Sequence, residues 1–135
     1  IDQPVSKLDL ADLIEWVGFT EDVASELRKL DIFVLPSTHG EGLPIATLEA
    51  MSVGLPVVTT NIPGNDEVIR DGLDGYLCKP EDGQSLADNL EKIMSQPDNW
   101  TKLSASAYQR QQESFSDESM TSAIASVYDN ILSGR

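Results

Sequence analysis

The chain has 135 residues, enough for one domain around one core, and 40% of them are hydrophobic, the share of an ordinary globular protein. Nine basic residues against 23 acidic ones leave a net charge of -14. Such a surface repels the phosphates of nucleic acids and anionic lipid headgroups, so neither is expected as a partner. One His and one Cys, far apart in the chain, make a poor zinc site, and no metal is expected.

The start, Ile1-Asp2-Gln3-Pro4, lacks the basic and apolar regions of a signal peptide, and without an initiator Met the chain reads as processed or cut. No stretch approaches the roughly 20 apolar residues of a membrane helix. The lone Cys78 allows no intrachain disulfide and fits a cytoplasmic location. Leu13 to Val17 reads as a short strand closed by Gly18. Thr20 is placed to cap the next helix, on which Val23, Leu27 and Leu30 share a face. Asp31 to Leu35 is continuously apolar after its first residue and reads as a buried central strand. A loop from Pro36 to Gly42 leads into a helix from about Pro44 to Val53, stopped by Gly54.

Pro56 to Thr60 reads as another strand, Asn61 to Gly64 as a second loop, and Asp66 to Ile69 as a short helix. Gly75 to Cys78 is the last short strand. The rest is helical: Leu86, Leu90, Ile93 and Met94 on one face, a break at Pro97, and a new helix with Trp100, Leu103 and Ala107. Ser116 caps a final helix with Met120, Ile124, Val127, Ile131 and Leu132 as its apolar stripe, a core or docking surface. Strands alternating with helices predict an α/β domain with a parallel sheet over residues 1–135.

The segment from Pro36 to Met51 carries the chemistry. Ligands of open α/β sheets bind outside the carboxyl ends of the strands. Gly40 and Gly42 let backbone approach a ligand closely. The N–H groups of Leu43, Ile45 and Ala46 sit at a helix start that favours an anion, and Pro44 gives up a donor that would be orphaned anyway. Glu41 and Glu49 bracket this start: Glu41 lies in the loop just before the helix, and Glu49 about one and a half turns inside it. A carboxylate accepts two hydrogen bonds side by side, which suits vicinal hydroxyls of a sugar or ribose. His39 is placed to donate to a phosphate or hydroxyl or to be neutral scenery; Thr47 lines the same turn or merely packs; Gly64 allows close approach opposite the first loop. By itself this pattern leaves a solvated surface Glu as the alternative.

Asp31-Ile-Phe-Val-Leu-Pro-Ser, Glu41-Gly-Leu-Pro, Glu49-Ala-Met and Gly54-Leu-Pro-Val-Val together resemble the signature of the glycosyltransferase family 4 group, including its two glutamates with seven residues between them. Pro63-Gly64, Glu67-Val68-Ile69, Gly72, Gly75, Phe115-Ser116 and Tyr128 extend the likeness over nearly the whole chain. The resemblance implies the carboxyl-terminal, donor-binding half of a two-domain GT-B enzyme. The implied reaction is transfer of a hexosyl-type group from a nucleotide sugar to an acceptor, with retention and without a cofactor or obligatory metal. It implies that Glu49 binds the donor ribose, that Glu41 contacts the sugar as the catalytic-site carboxylate, and that backbone from Gly42 through Leu43, Pro44 and Ile45 to Ala46 holds the sugar and diphosphate. The family's first two strands and its Arg and Lys are missing here, as is the acceptor domain. Arg70 and Lys79 are available cations, but neither matches by position. Weak donor binding, no activity in this piece alone, and self-association through an exposed strand edge are therefore expected. A non-catalytic sugar-nucleotide or protein-binding module is the alternative.

Overall fold

The chain is described by a computed structural model over residues 7–40 and 42–134. Three short strands form one parallel sheet in the order β1-β2-β3: β1 (Phe33–Leu35), β2 (Val57–Thr60) and β3 (Gly75–Cys78). Phe33 pairs with Val57 and Leu35 with Thr59 on one side of β2, and Val57 pairs with Gly75 and Thr60 with Cys78 on the other. A parallel pair needs a crossover, and the crossovers here are α2 (Ile45–Ser52) and α3 (Asn65–Val68). α1 (Val23–Leu27) precedes β1, and α4 (Gly83–Met94), α5 (Pro97–Ser114) and α6 (Asp117–Leu132) follow β3. The α/β class and the flanking helices are as the sequence implies.

Every residue of β2 is buried. Successive strand residues point to opposite faces, so Val57 and Val58 feed two cores. Val57 joins Leu48, Ala50 and Met51 of α2, Val68 of α3 and Ala107 of α5. Val58 joins Ile93 of α4 and Leu103 of α5. A side chain at Gly75 would run into the carbonyl oxygen of Val57, so β3 can lie this close to β2 only with glycine there.

Several expectations need correction. Leu13 to Val17 is not a strand: a 3-10 turn covers Ala11–Leu13, and Ile14 leaves it extended (φ -114°, ψ 122°) without joining a sheet. An extended segment is stabilised by a neighbour that takes its N–H and C=O groups, and β1 pairs only with β2 among the described residues. Leu13, Trp16, Val17 and Phe19 are accordingly exposed. The next helix is capped by Asp22, not Thr20: the Asp22 carboxylate accepts from the Ser25 amide at 3.0 Å, while the Thr20 hydroxyl accepts from the Asp22 amide at 3.1 Å. β1 is half-buried at the sheet edge rather than central. Met94 points to water although Ile93 is buried. Ser116 caps α6 as its sequence suggests, accepting from the Ser119 amide, but no residue of α6 is buried and its apolar stripe is open.

A buried acid ties the sheet's second crossover to α5. Asp74 is wholly buried and accepts from Arg70 Nε at 2.7 Å, Arg70 Nη2 at 2.6 Å and Ser106 Oγ at 2.7 Å. Arg110 Nε lies 3.4 Å from the same carboxylate and donates to Val68 O. Burial pushes the Asp74 carboxyl up, but the hydrogen bonds from Arg70 and Ser106, with the Arg70 charge, outweigh it and hold it below the ordinary carboxylate value. A depressed carboxyl stabilises the fold fully above its unfolded value of about 4, and that contribution is lost as pH falls through the lower native value. Asp74→Ala is expected to cost about 3 kcal/mol, the low end for a broken buried pair, because half-exposed Arg70 can turn to water. Urea unfolding at neutral pH and near pH 3 checks this: the variant should lose stability at neutral pH and differ less from wild type in acid.

Candidate functional site

The parallel sheet brings the carboxyl ends of all three strands to one edge. Loop 36–44 leaves β1 there, and loop 61–64 leaves β2 there. The two loops touch: a methyl group added at Gly40 would sit 3.6 Å from both Cβ and O of Pro63. Gly64 follows with φ 95° and ψ -50°, a conformation that L side chains resist, and it opens α3.

Pro44 is buried and ends the loop, fixing the start of α2. The first amide to close onto the helix is that of Leu48, on Pro44 O at 3.1 Å. The N–H groups of Ile45, Ala46 and Thr47 therefore precede the helical ladder, and Pro44 has no side chain to cap them. Ile45 and Ala46 are exposed, as are Gly42 and Leu43, so this helix start faces solvent beside the two loops. Donor dipoles here, with no acid in the first turn, make a seat for an anion.

Glu49 is exposed one turn further along α2. Glu41 lies outside the described residues. His39 is exposed, and its Nδ1 lies 2.8 Å from Thr38 Oγ1, which leaves Nε2 directed away from that bond. Thr47 is fully buried with its hydroxyl unpartnered, so it packs under the helix start. The structure thus gathers His39, Gly42, Leu43, Pro44, Ile45, Ala46, Glu49 and Gly64 at one edge of the sheet. The two candidate cations differ in how firmly they are held. Arg70 is held by Asp74, and Lys79, on a small cleft with Thr38 and Thr60, lies 3.8 Å from Asp82.

Two residues that sequence reasoning passed over, Thr60 and Asn65, shape this edge, and Thr59 closes the sheet just before it. Thr59 Oγ1 donates to Leu35 O at 2.9 Å, Thr60 Oγ1 donates to Ser37 O at 2.6 Å, and buried Asn65 donates to Thr60 O at 3.0 Å. The available signal was two threonines closing an otherwise apolar buried strand, followed by Asn65 after a glycine.

This architecture defines an α/β domain with its ligand edge at the carboxyl ends of a parallel sheet. The chain belongs to the family of group 1 glycosyl transferases, which matches residues 1–110. It is 32% identical over 130 residues to the lipopolysaccharide core biosynthesis mannosyltransferase LpsB of Rhizobium meliloti, covering 95% of this chain and 37% of that protein. Its fold is that of GT-B carboxyl-terminal domains. It superposes on the carboxyl-terminal domain of the group 1 family protein LpcC from Francisella tularensis with a TM-score of 0.75 at 28% identity, covering 86% of this chain and 60% of that one. On Anabaena Alr3699/HepE in complex with UDP the TM-score is 0.91 at 23% identity, covering 96% of this chain and 35% of that one. The chain spans between 10% and 37% of the length of the curated relatives it matches.

The positive φ of Gly64 gives the site a direct test. Gly64→Ala forces a side chain into a sparsely allowed conformation and is expected to cost about 1–3 kcal/mol. Thermal unfolding checks the loss. Gly42→Ala, where an added methyl meets nothing within 4 Å, should be nearly neutral for stability.

Proposed function

We propose that the chain is the donor-binding part of a retaining glycosyltransferase of the family 4 group, one that moves a hexosyl-type sugar from a nucleotide donor to an acceptor. The observation that carries this reading is the α2 start. Its exposed, unbonded amides follow the loop that meets Pro63 at Gly40, and lie one turn from Glu49 at the carboxyl edge of the sheet. Membership of the group 1 family and the likeness to a UDP-bound structure support it.

In this reading the donor diphosphate sits over the amides of Ile45 and Ala46. Glu49 accepts hydrogen bonds from the ribose hydroxyls, and Glu41 accepts from the sugar. As the glycosidic bond breaks, negative charge grows on the departing diphosphate, and preorganised N–H dipoles favour that change. His39 Nε2 is positioned to donate to a phosphate or hydroxyl. No metal is invoked: the amides of the helix start favour the phosphate, and the remainder of the full-length protein completes its charge compensation. The reaction is placed in the cytoplasm, where the free, buried thiol of Cys78 stays reduced.

The rest of the phosphate site and the acceptor site belong to the remainder of the full-length protein. That remainder also supplies neighbours for the β1 edge. Left alone, the edge of Phe33–Leu35 is open to pairing with a second copy.

Glu49→Ala in the full-length protein is expected to weaken nucleotide binding about 10- to 100-fold, since hydrogen bonds to a charged acceptor contribute about 1.5–3 kcal/mol each. Glu41→Ala should reduce transfer more than nucleotide binding. Calorimetry and a transfer assay separate the two; nucleotide affinity of Glu49→Ala within twofold of wild type would remove the ribose role. The isolated 135-residue chain is expected to be inactive and to bind nucleoside more strongly than nucleotide diphosphate, because its net charge of -14 repels added phosphates. Titration with nucleoside, monophosphate, diphosphate and nucleotide sugar checks this, and tight diphosphate binding would contradict it.

A further inference from the structure

The β1–β2 ladder ends where Pro36 begins. Leu35 pairs with Thr59, so the next step would set Thr60 beside Pro36, which has no N–H to donate. Two hydroxyls act at this point. Thr59 Oγ1 donates to the carbonyl of Leu35, its own register partner, and so adds to the sheet. Thr60 Oγ1 reaches past the end of the ladder and donates to the carbonyl of Ser37, inside the loop, at 2.6 Å. Thr60 is 3% exposed, so this bond is shielded from water.

Thr60 is held in its turn. Asn65, fully buried at the start of α3, donates from Nδ2 to the Thr60 carbonyl at 3.0 Å and lies 3.5 Å from its hydroxyl. The Ile62 amide donates to the same carbonyl at 3.0 Å. The Oδ1 atom of Asn65 is buried without a partner. The relay of Asn65, Thr60 and Ser37 therefore fixes where loop 36–44 departs, and that loop delivers His39 and the start of α2.

We propose that Thr60 is a positioning residue for the donor site, acting through Ser37 on loop 36–44, with Asn65 holding Thr60 in place. The inference rests on the donor-binding reading above. Thr59 supplies an internal control: a hydroxyl on the same strand, bonding a carbonyl of the same neighbour, but within the sheet and not in the loop.

The test compares Thr60→Val, Thr60→Ser and Thr59→Val in the full-length protein, titrated with UDP-, GDP- and ADP-glucose and with the matching nucleoside. Thr60→Val is expected to weaken the preferred nucleotide sugar by about 3- to 10-fold, the worth of one hydrogen bond, with nucleoside affinity little changed. Thr60→Ser should restore it, and Thr59→Val should leave the ratio of the two affinities as in wild type. Equal shifts in that ratio for Thr60→Val and Thr59→Val, or none in either, would overturn the positioning role while leaving the donor site standing. Failure of the wild type to bind any nucleotide sugar would instead remove the proposed function and this inference with it. Should Thr60→Val fail to fold, Thr60→Cys, whose thiol is a weaker donor of similar size, carries the same comparison.

Discussion

β2 has four residues and all are buried. Its two valines point to opposite faces and so supply both cores, which is why helices can cover the sheet on either side. Its two threonines finish the strand and reach sideways to β1 and the loop that follows it. One strand thus sets the packing of α2 and α5 and the departure of the loop that carries the candidate site. The close approach of β3 depends on the same strand, because the carbonyl of Val57 occupies the space a side chain at Gly75 would need.

Charge decides how the site works. The domain carries -14, and an anionic ligand approaches it against that field. The helix start of α2 is a local exception, with three amides ahead of the hydrogen-bonded ladder and no acidic side chain in the first turn. Arg70 does not help, because it is fixed on buried Asp74, where it joins the loop before β3 to Ser106 on α5. Arg110 is similarly committed, to carbonyls of Glu67 and Val68. These arginines hold the crossover in shape and do not serve the anion seat at α2.

Much of this was legible in the residues. Pro44 before an apolar run and Gly54 after it bracket α2 to within a residue or so, and Val-Val-Thr-Thr after a proline reads as a buried strand. These signals are local, as caps, breakers and periodicity are. What was not legible depends on distant partners. Leu13 to Val17 has strand-like composition, but a strand exists only where a ladder accepts it, and none does here among the described residues. Asp74 lies between Gly72 and Gly75 with no local signal of its burial, which follows from Arg70 and from Ser106, thirty-two residues on. Asn65 looks like an ordinary helix-start residue until Thr60 is seen above it. The open stripe of α6 shows the converse: local periodicity gave the helix correctly, while none of its residues is buried by the described residues.

The claim at the centre of this account is that backbone amides at the start of α2 receive the anionic part of the ligand. Amide hydrogen exchange of the full-length protein, with and without its preferred nucleotide sugar, measures this directly. The account predicts that Leu43, Ile45, Ala46 and Thr47 gain the greatest protection, with smaller gains at Gly64 and Asn65 across the facing loop. Protection confined to α4, α5 or α6, with the amides of residues 43–47 exchanging as in the free protein, would contradict it.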